Sequence, residues 1–130
     1  MFTQLTTNLM VEDVDQSVAF YQDVLGFSLK QSVPRKKGGL QFAIVAKDKQ
    51  FLMFQERTNL IEEYPLLATE RVQPSVSLYI MVDNFDALYQ KIKNKHEILT
   101  EIHTTFYGAK EFAIADNSGY VLTFTEHKDV

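Results

Sequence analysis

Two stretches of the chain have the pattern that is typical of β-hairpins, in which runs rich in apolar residues flank a polar turn. The later one, 111–127, contains the turn cluster Asp116-Asn117-Ser118-Gly119 between two runs rich in aromatic and β-branched residues. The earlier one, 41–57, can be laid over it without a gap at an offset of 70 residues. A second match, of 10–15 onto 81–86 at an offset of 71, indicates that the chain contains two copies of one unit.

The first copy is predicted to be a strand, a helix and three strands. The first strand runs from Phe2 to Val11, and the helix from Val14 to Leu25 has the apolar spacing of one buried face. Asp13 has the position of the N-cap in a capping box, and Gly26 is placed to end the helix. The three following strands are expected at 27–33, 40–46 and 51–57.

The second copy repeats this order. A strand at 75–82 precedes a helix from Phe85 to about Lys95, which the side chain of Asn84 is expected to cap. A further strand at 97–104 and the hairpin at 110–127 complete the copy.

These elements predict an α+β fold of two βαβββ modules in tandem, with helices on the outer face of a curved, mixed sheet of about eight strands. The chain is expected to be one domain, 1–130, with module one at about 1–58, a connection at 59–74 and module two at about 75–130. The connection is apolar enough to pack on the body with a short helical turn. It either seals the core or covers a pocket.

The composition argues against several classes of function. A net charge of −4 provides no basic surface for nucleic acid. The absence of cysteine rules out disulfides, thiolate metal sites and a cysteine nucleophile, and it suits a reducing cytoplasm. No apolar run approaches the roughly 20 residues of a membrane-spanning helix, and the first residues lack the pattern of a signal peptide. We therefore expect a cytoplasmic protein whose partners include neither nucleic acid nor membrane.

Two segments resemble the vicinal oxygen chelate superfamily, which includes glyoxalase I, extradiol dioxygenases, and fosfomycin and bleomycin resistance proteins. One is 8–27, with its Phe20-Tyr21 pair and its Leu25-Gly26-Phe27 ending, and the other is 107–124. The resemblance covers nearly the whole chain. It implies paired βαβββ modules, a homodimer and a small-molecule site in the concave sheet, but not one reaction, because this fold hosts many.

The resemblance also locates the positions where enzymes of the family hold a divalent metal with His and Glu side chains. The strand-to-helix junctions and the closing hairpin place these positions at Thr6, Met53, Ser77 and Thr123. Neutral hydroxyls and a thioether are poor ligands for the metals concerned. We therefore expect neither the usual metal site nor any other cofactor.

An enzyme remains the alternative. A metal-dependent glyoxalase or dioxygenase would need unusual ligands, such as His103, Glu56 or Glu126. For all three histidines, including His96 near the end of a helix and His127 near the C-terminus, a structural role is the stronger expectation. A weaker hypothesis is an enzyme that uses Tyr or Glu as acid or base without metal. No catalytic residue is assigned.

Placing Thr6 on the concave side of the sheet divides the strands into two faces, because residues two apart share a face. One face is apolar and is expected to pack under the helices; it carries Leu5, Thr7, Leu9, Val11, Leu52, Phe54, Val76, Leu78, Ile80, Val82, Leu122 and Phe124. The mixed face combines uncharged hydrogen-bonding groups with aromatic rings and methionine; it carries Gln4, Thr6, Asn8, Met10, Phe51, Met53, Gln55, Ser77, Tyr79, Met81, Val121, Thr123 and Thr125.

A mixed face of this kind suits a partly apolar organic ligand held by a few directional contacts. The candidate ligand-binding residues are Asn8, Phe51, Met53, Gln55, Ser77, Tyr79, Tyr107 and Thr123. Phe51, Tyr79, Phe106 and Tyr107 offer rings that can stack on a planar group. The sequence thus predicts a metal-free protein that binds a small, partly aromatic molecule, as the bleomycin-resistance branch does. A half-solvated surface or a dimer interface is the other interpretation of this face.

Overall fold

The structure is a computed structural model that describes residues 1–126. The chain divides into two compact units, Met1–Gln73 and a second unit that begins at Pro74. Each unit contains one βαβββ module, as the repeat predicts. His127, at the predicted end of the last hairpin, lies outside the described residues.

The first unit contains four strands and one long connection. Its elements are β1 (Thr7–Val11), α1 (Val14–Asp23), β2 (Ser28–Pro34), β3 (Leu40–Lys47), β4 (Gln50–Glu56), α2 (Arg57–Glu63) and a 3-10 turn (Pro65–Leu67). The strands form one mixed sheet in the order β1-β4-β3-β2, in which β1 runs parallel to β4 and the other pairs are antiparallel.

The predicted start of α1 and its cap are confirmed, whereas the helix ends at Asp23 and not at Leu25. The Oδ1 atom of Asp13 accepts a hydrogen bond from the backbone N–H of Gln16 at 3.0 Å, which satisfies one free donor of the first turn. Gly26 follows the helix at a φ of 78°, a left-handed conformation that glycine adopts without a steric penalty.

The second unit repeats the topology. Its elements are β5 (Ser77–Met81), α3 (Phe85–Lys93), β6 (Thr100–Thr104), β7 (Lys110–Ala115) and β8 (Val121–Glu126), with the sheet order β5-β8-β7-β6. Asn84 occupies the N-cap position of α3, but its side chain makes no capping hydrogen bond, so that part of the prediction is wrong. Within residues 1–126, no helix has both the length and the apolar character needed to span a membrane.

Each unit has an aromatic core on the apolar face of its sheet. In the first unit the buried ring of Tyr21 lies 4.9 Å from that of Phe54 and 5.4 Å from that of Phe27. In the second unit Phe112 is stacked on Phe124 with ring centroids 5.0 Å apart. The buried positions Leu9, Val11, Phe54, Leu122 and Phe124 confirm the central part of the predicted apolar face.

Three boundary predictions are corrected. The eight described strands form two separate sheets of four rather than one sheet of eight. The first strand begins at Thr7 and not at Phe2, since its pairing with β4 starts at Thr7 opposite Leu52, and Leu5 is 89% exposed. Val76 is likewise 43% exposed, one residue before β5.

The two hairpins differ in register, which corrects the gapless match. Ala43 lies opposite Phe54 in the first unit, whereas Phe112 lies opposite Phe124 in the second. The cause is the turn: Lys47 pairs directly with Gln50 around a two-residue turn, and the equivalent connection in the second unit runs from Ala115 to Val121. A shift of one residue turns every side chain of the strand to the other face.

Candidate functional site

The mixed face of the first unit contains an open cleft of about 650 Å³. The strand register places Asn8 opposite Met53, and it places both Met10 and Phe42 opposite Gln55, so these side chains share one face. The residues that line the cleft come from β1, β2, β3, β4 and α2 with its following turn; they are Asn8, Val33, Gln41, Phe42, Gln55, Asn59, Glu62, Glu63 and Tyr64.

A chain of side-chain hydrogen bonds crosses the floor of this cleft. Asn8 Nδ2 donates to Gln55 Oε1 at 2.8 Å. Gln55 Nε2 donates to Asn59 Oδ1 at 2.7 Å and to Glu63 Oε1 at 3.1 Å. Asn59 and Glu63 are four residues apart on α2, so one face of that helix presents both to the sheet. Gln55 is only 7% exposed, and these bonds satisfy its buried amide.

Apolar and aromatic surfaces flank the hydrogen-bond chain. Val33 lies opposite Phe42 on the neighbouring strand, and its side chain is 41% exposed. Tyr64, directly after α2, is 55% exposed. The cleft therefore combines a fixed polar floor with rings and a branched aliphatic side chain, as small-molecule sites do.

The mixed face of the second unit carries a buried carboxylate held by two tyrosines. Tyr79 donates its hydroxyl hydrogen to Glu111 Oε2 at 2.8 Å, and Tyr107 donates to the same oxygen at 2.6 Å. Glu111 is 7% exposed and lies directly opposite Thr125. The Thr125 hydroxyl is buried and has no hydrogen-bond partner among residues 1–126.

The hydrogen bond to the Glu111 carboxylate, with a contribution from Tyr79, raises the pKa of Tyr107 above its ordinary value. A phenolate there would face a negative charge and would lose the donated bond. Tyr107 therefore stays protonated and acts as a donor through the neutral range.

The predicted site residues fall into two groups. In the first unit the structure brings Asn8, Met53 and Gln55 together, while Phe51 lies near the start of β4 and lines a different cleft of about 430 Å³. In the second unit Tyr79 and Tyr107 meet at Glu111, Thr123 lies half-buried opposite Tyr79, and Ser77 is exposed at the start of β5.

Several residues of these sites were missed by the sequence prediction, among them Asn59, Glu63, Glu111 and Phe42. Asn59 and Glu63 belong to a stretch that was expected to hold only a short helical turn, although their spacing of four residues is a helical signal. Glu111 was placed on a strand but assigned to neither face. Phe42 was matched to Phe112, which is in the core, and the register difference brings Phe42 to the cleft instead.

The donor set does not fit the family's metal. Thr6 precedes β1, and Met53, Ser77 and Thr123 offer a thioether and two hydroxyls. No group of three or more His, Asp or Glu side chains in the described part of the chain is arranged to hold a metal ion. Glu56, one of the alternative ligands, instead pairs with Arg35 at 2.6 Å.

The described histidines have structural surroundings. The ring of His103 is exposed, and its Nδ1 lies 3.0 Å from the backbone oxygen of Glu101. His96 is half-buried, with Nε2 2.8 Å from the carbonyl oxygen of Ala115. Glu126, the third alternative ligand, lies opposite Lys110. These side chains do not converge on one site.

Two βαβββ modules with a mixed sheet face define a glyoxalase-like protein. The chain belongs to the Glyoxalase/Bleomycin resistance protein/Dioxygenase superfamily, whose model matches residues 3–124. No curated protein matches the sequence.

Several solved structures have the same fold. TioX from Micromonospora sp. ML1 is 18% identical with a TM-score of 0.79, and the match covers 97% of this chain and 99% of that one. A glyoxalase-related enzyme from Clostridium phytofermentans is 18% identical with a TM-score of 0.75, covering 97% and 95%. A glyoxalase/bleomycin resistance protein/dioxygenase from Nocardioides is 19% identical with a TM-score of 0.78, covering 97% and 84%. At these identities the similarity shows the fold alone.

Proposed function

We propose that this protein binds a small, partly aromatic organic molecule on the mixed face of its first sheet, without the metal site usual in its family. The observation that carries the proposal is the cleft of about 650 Å³ in which the predicted residues Asn8 and Gln55 meet. Its volume lies within the range of roughly 300–1,000 Å³ that is usual for small-molecule pockets.

The chemistry of the cleft supports an organic ligand. The amides are held in place by their mutual hydrogen bonds, so a ligand does not have to order them on binding. The rings of Phe42 and Tyr64 offer faces for stacking. The name of the family covers both enzymes and resistance proteins. Of these two kinds of activity, binding of a small molecule is the one that needs no metal.

The proposal is tested by a thermal-shift screen of planar aromatic compounds, followed by calorimetric titration of those that raise the melting temperature. We expect Asn8→Ala to weaken binding of such a compound by about tenfold, which corresponds to one directional contact of about 1.4 kcal/mol. Asn94→Ala, which removes an exposed amide at the end of α3, is the control and should bind normally.

Failure of the whole aromatic panel to bind would reject the proposal. If a compound binds Asn8→Ala with the same affinity as the parent protein, its binding site is not this cleft.

The proposal includes a homodimer and a cytoplasmic location. The support for the dimer is the family resemblance, and the support for the location is the absence of cysteine. A monomeric mass in multi-angle light scattering at micromolar concentration would reject the dimer.

A further inference from the structure

The carboxylate of Glu63 determines the direction of every hydrogen bond in the cleft. An ionised carboxylate can only accept, so Gln55 must turn its Nε2 towards Glu63 Oε1, as observed at 3.1 Å. The Oε1 of Gln55 then faces Asn8, and only the Nδ2 of Asn8 can donate to it. Amide orientations are assigned from such networks, and here one anion settles both of them.

The amides of the cleft offer both donors and acceptors, so the charge preference of the cleft depends on its carboxylates. Asn8 uses one N–H of its Nδ2 on Gln55, so it can offer a ligand its Oδ1 as an acceptor and its second N–H as a donor. Asn59 accepts from Gln55 with its Oδ1 and can offer its Nδ2 as a donor. The carboxylates of Glu62 and Glu63 add negative charge, and both side chains are exposed. The described residues that line the cleft include no Lys, Arg or His to balance that charge. The cleft therefore favours a ligand that is positively charged.

We infer that the cleft selects an organic cation, namely a molecule that carries an amidine, guanidine or primary amine group attached to an apolar ring. The inference rests on the proposed function and specifies its ligand class. The cationic group is expected to donate to Asn8 Oδ1 and the glutamates, and the ring to pack on Phe42 and Tyr64. A cation beside an aromatic ring gains a further electrostatic attraction.

The balance of energies favours this assignment over a neutral ligand. The glutamates lie at an open surface, so neither they nor the incoming cation loses most of its hydration. An anionic ligand would meet the like charges of Glu62 and Glu63. Because the charges are exposed, the preference should weaken as salt rises and the Debye length shortens.

The test uses three probes that share one phenyl ring and differ in charge: benzamidinium, benzamide and benzoate. Binding to the full chain is followed by NMR through the side-chain amide signals of Asn8, Gln55 and Asn59. We expect benzamidinium to bind about tenfold more tightly than benzamide at low ionic strength, and benzoate to bind most weakly. Glu62→Gln should reduce the preference for benzamidinium several-fold, whereas Glu97→Gln, which removes the same charge from the second unit, should not change it.

Equal affinities for benzamidinium and benzamide would overturn the cation preference. Binding of benzamidinium that shifts none of the three amide signals would overturn it too. Failure of all three probes would overturn it as well. Neutral benzamide binding in the cleft would leave the proposed function standing, and only the failure of the wider aromatic panel would remove that function too.

Discussion

Replacing Asn8 with Asp tests whether Glu63 fixes the polarity of the cleft. The two side chains have the same shape, but an aspartate carboxylate cannot donate to Gln55 Oε1. Gln55 can keep its orientation and lose the donor, which was at 2.8 Å, or it can turn over and point its oxygen at Glu63. In the first case the buried Gln55 oxygen has no donor. In the second it faces the Glu63 carboxylate, and only the Asn59 amide, after turning over as well, can donate to it.

The cost of this change follows from the burial of Gln55, which is 7% exposed. Leaving a buried polar group unsatisfied costs about 1–3 kcal/mol. Asn8 itself is exposed, so the new carboxylate remains hydrated and the lower half of that range applies. We therefore expect Asn8→Asp to destabilise the protein by about 1–2 kcal/mol, which for a chain of this size lowers the melting temperature by roughly 3–8 °C.

The second substitution, Glu63→Gln, should rescue the first. The Nε2 of a glutamine at this position can donate to Gln55 Oε1 once Gln55 has turned over to donate to the new aspartate. Alone, Glu63→Gln keeps an acceptor for Gln55 and should change stability by less than about 0.5 kcal/mol. The double variant should recover at least about 1 kcal/mol of the loss, as a coupling energy in a double-mutant cycle.

The assay is urea denaturation monitored by far-UV circular dichroism for the parent protein, the two single variants and the double variant. Asn8→Ala is the matched control, because alanine cannot accept from Gln55 and so should not be rescued by Glu63→Gln. Additive effects of Asn8→Asp and Glu63→Gln, or a cost of Asn8→Asp below about 0.5 kcal/mol, would refute the polarised chain.

Three further predictions concern the second unit. Tyr79→Ala should leave the circular dichroism spectrum of the folded protein unchanged, because the side chain is 52% exposed. The same variant should lower the affinity for any ligand that binds on that face. An unfolded variant would place Tyr79 in the core. Phe112→Ala should destabilise by about 3–5 kcal/mol in urea denaturation, whereas the fully exposed Phe106→Ala should cost less than about 0.5 kcal/mol, and similar costs would contradict the assigned core. The pKa of Tyr107 is raised on folding, so above pH 10 the folded state binds more protons than the unfolded state, and the free energy of unfolding falls as the pH rises. In Tyr107→Phe the urea midpoint should therefore decline less steeply with alkaline pH. An unchanged slope would argue against the bond to Glu111.

Much of the fold could be predicted because its signals are local. The period-2 runs, the Asp13 cap and the glycine that ends α1 identify strands and helix within a few residues of the chain. The repeat predicted the shared topology of the two units, and the parallel pairs Leu9–Phe54 and Ile80–Phe124 confirm the offsets of 71 and 70 residues for β1/β5 and β4/β8. The resemblance to the superfamily is confirmed for residues 3–124.

The candidate sites were predicted only in part, because their polar partners are distant in sequence. Asn8 meets Gln55 across 47 residues, and Tyr79 meets Glu111 across 32. Alternation along a strand identified Asn8, Gln55 and Tyr79 as members of one face, but it contains no information on which helix or neighbouring strand completes each contact. Asn59, Glu63 and Glu111 therefore enter the sites only once the units are folded.

The sequence by itself determined the two modules and their apolar cores, since burial depends on the spacing of apolar residues along each element. The tertiary structure decided which face of β3 and β7 each side chain occupies. Asp48 and Lys49 make a two-residue turn with positive φ angles, and the second unit has a longer one. That difference of one residue in register places Phe42 in the cleft and Phe112 in the core, because in a strand a shift by one residue exchanges the two faces.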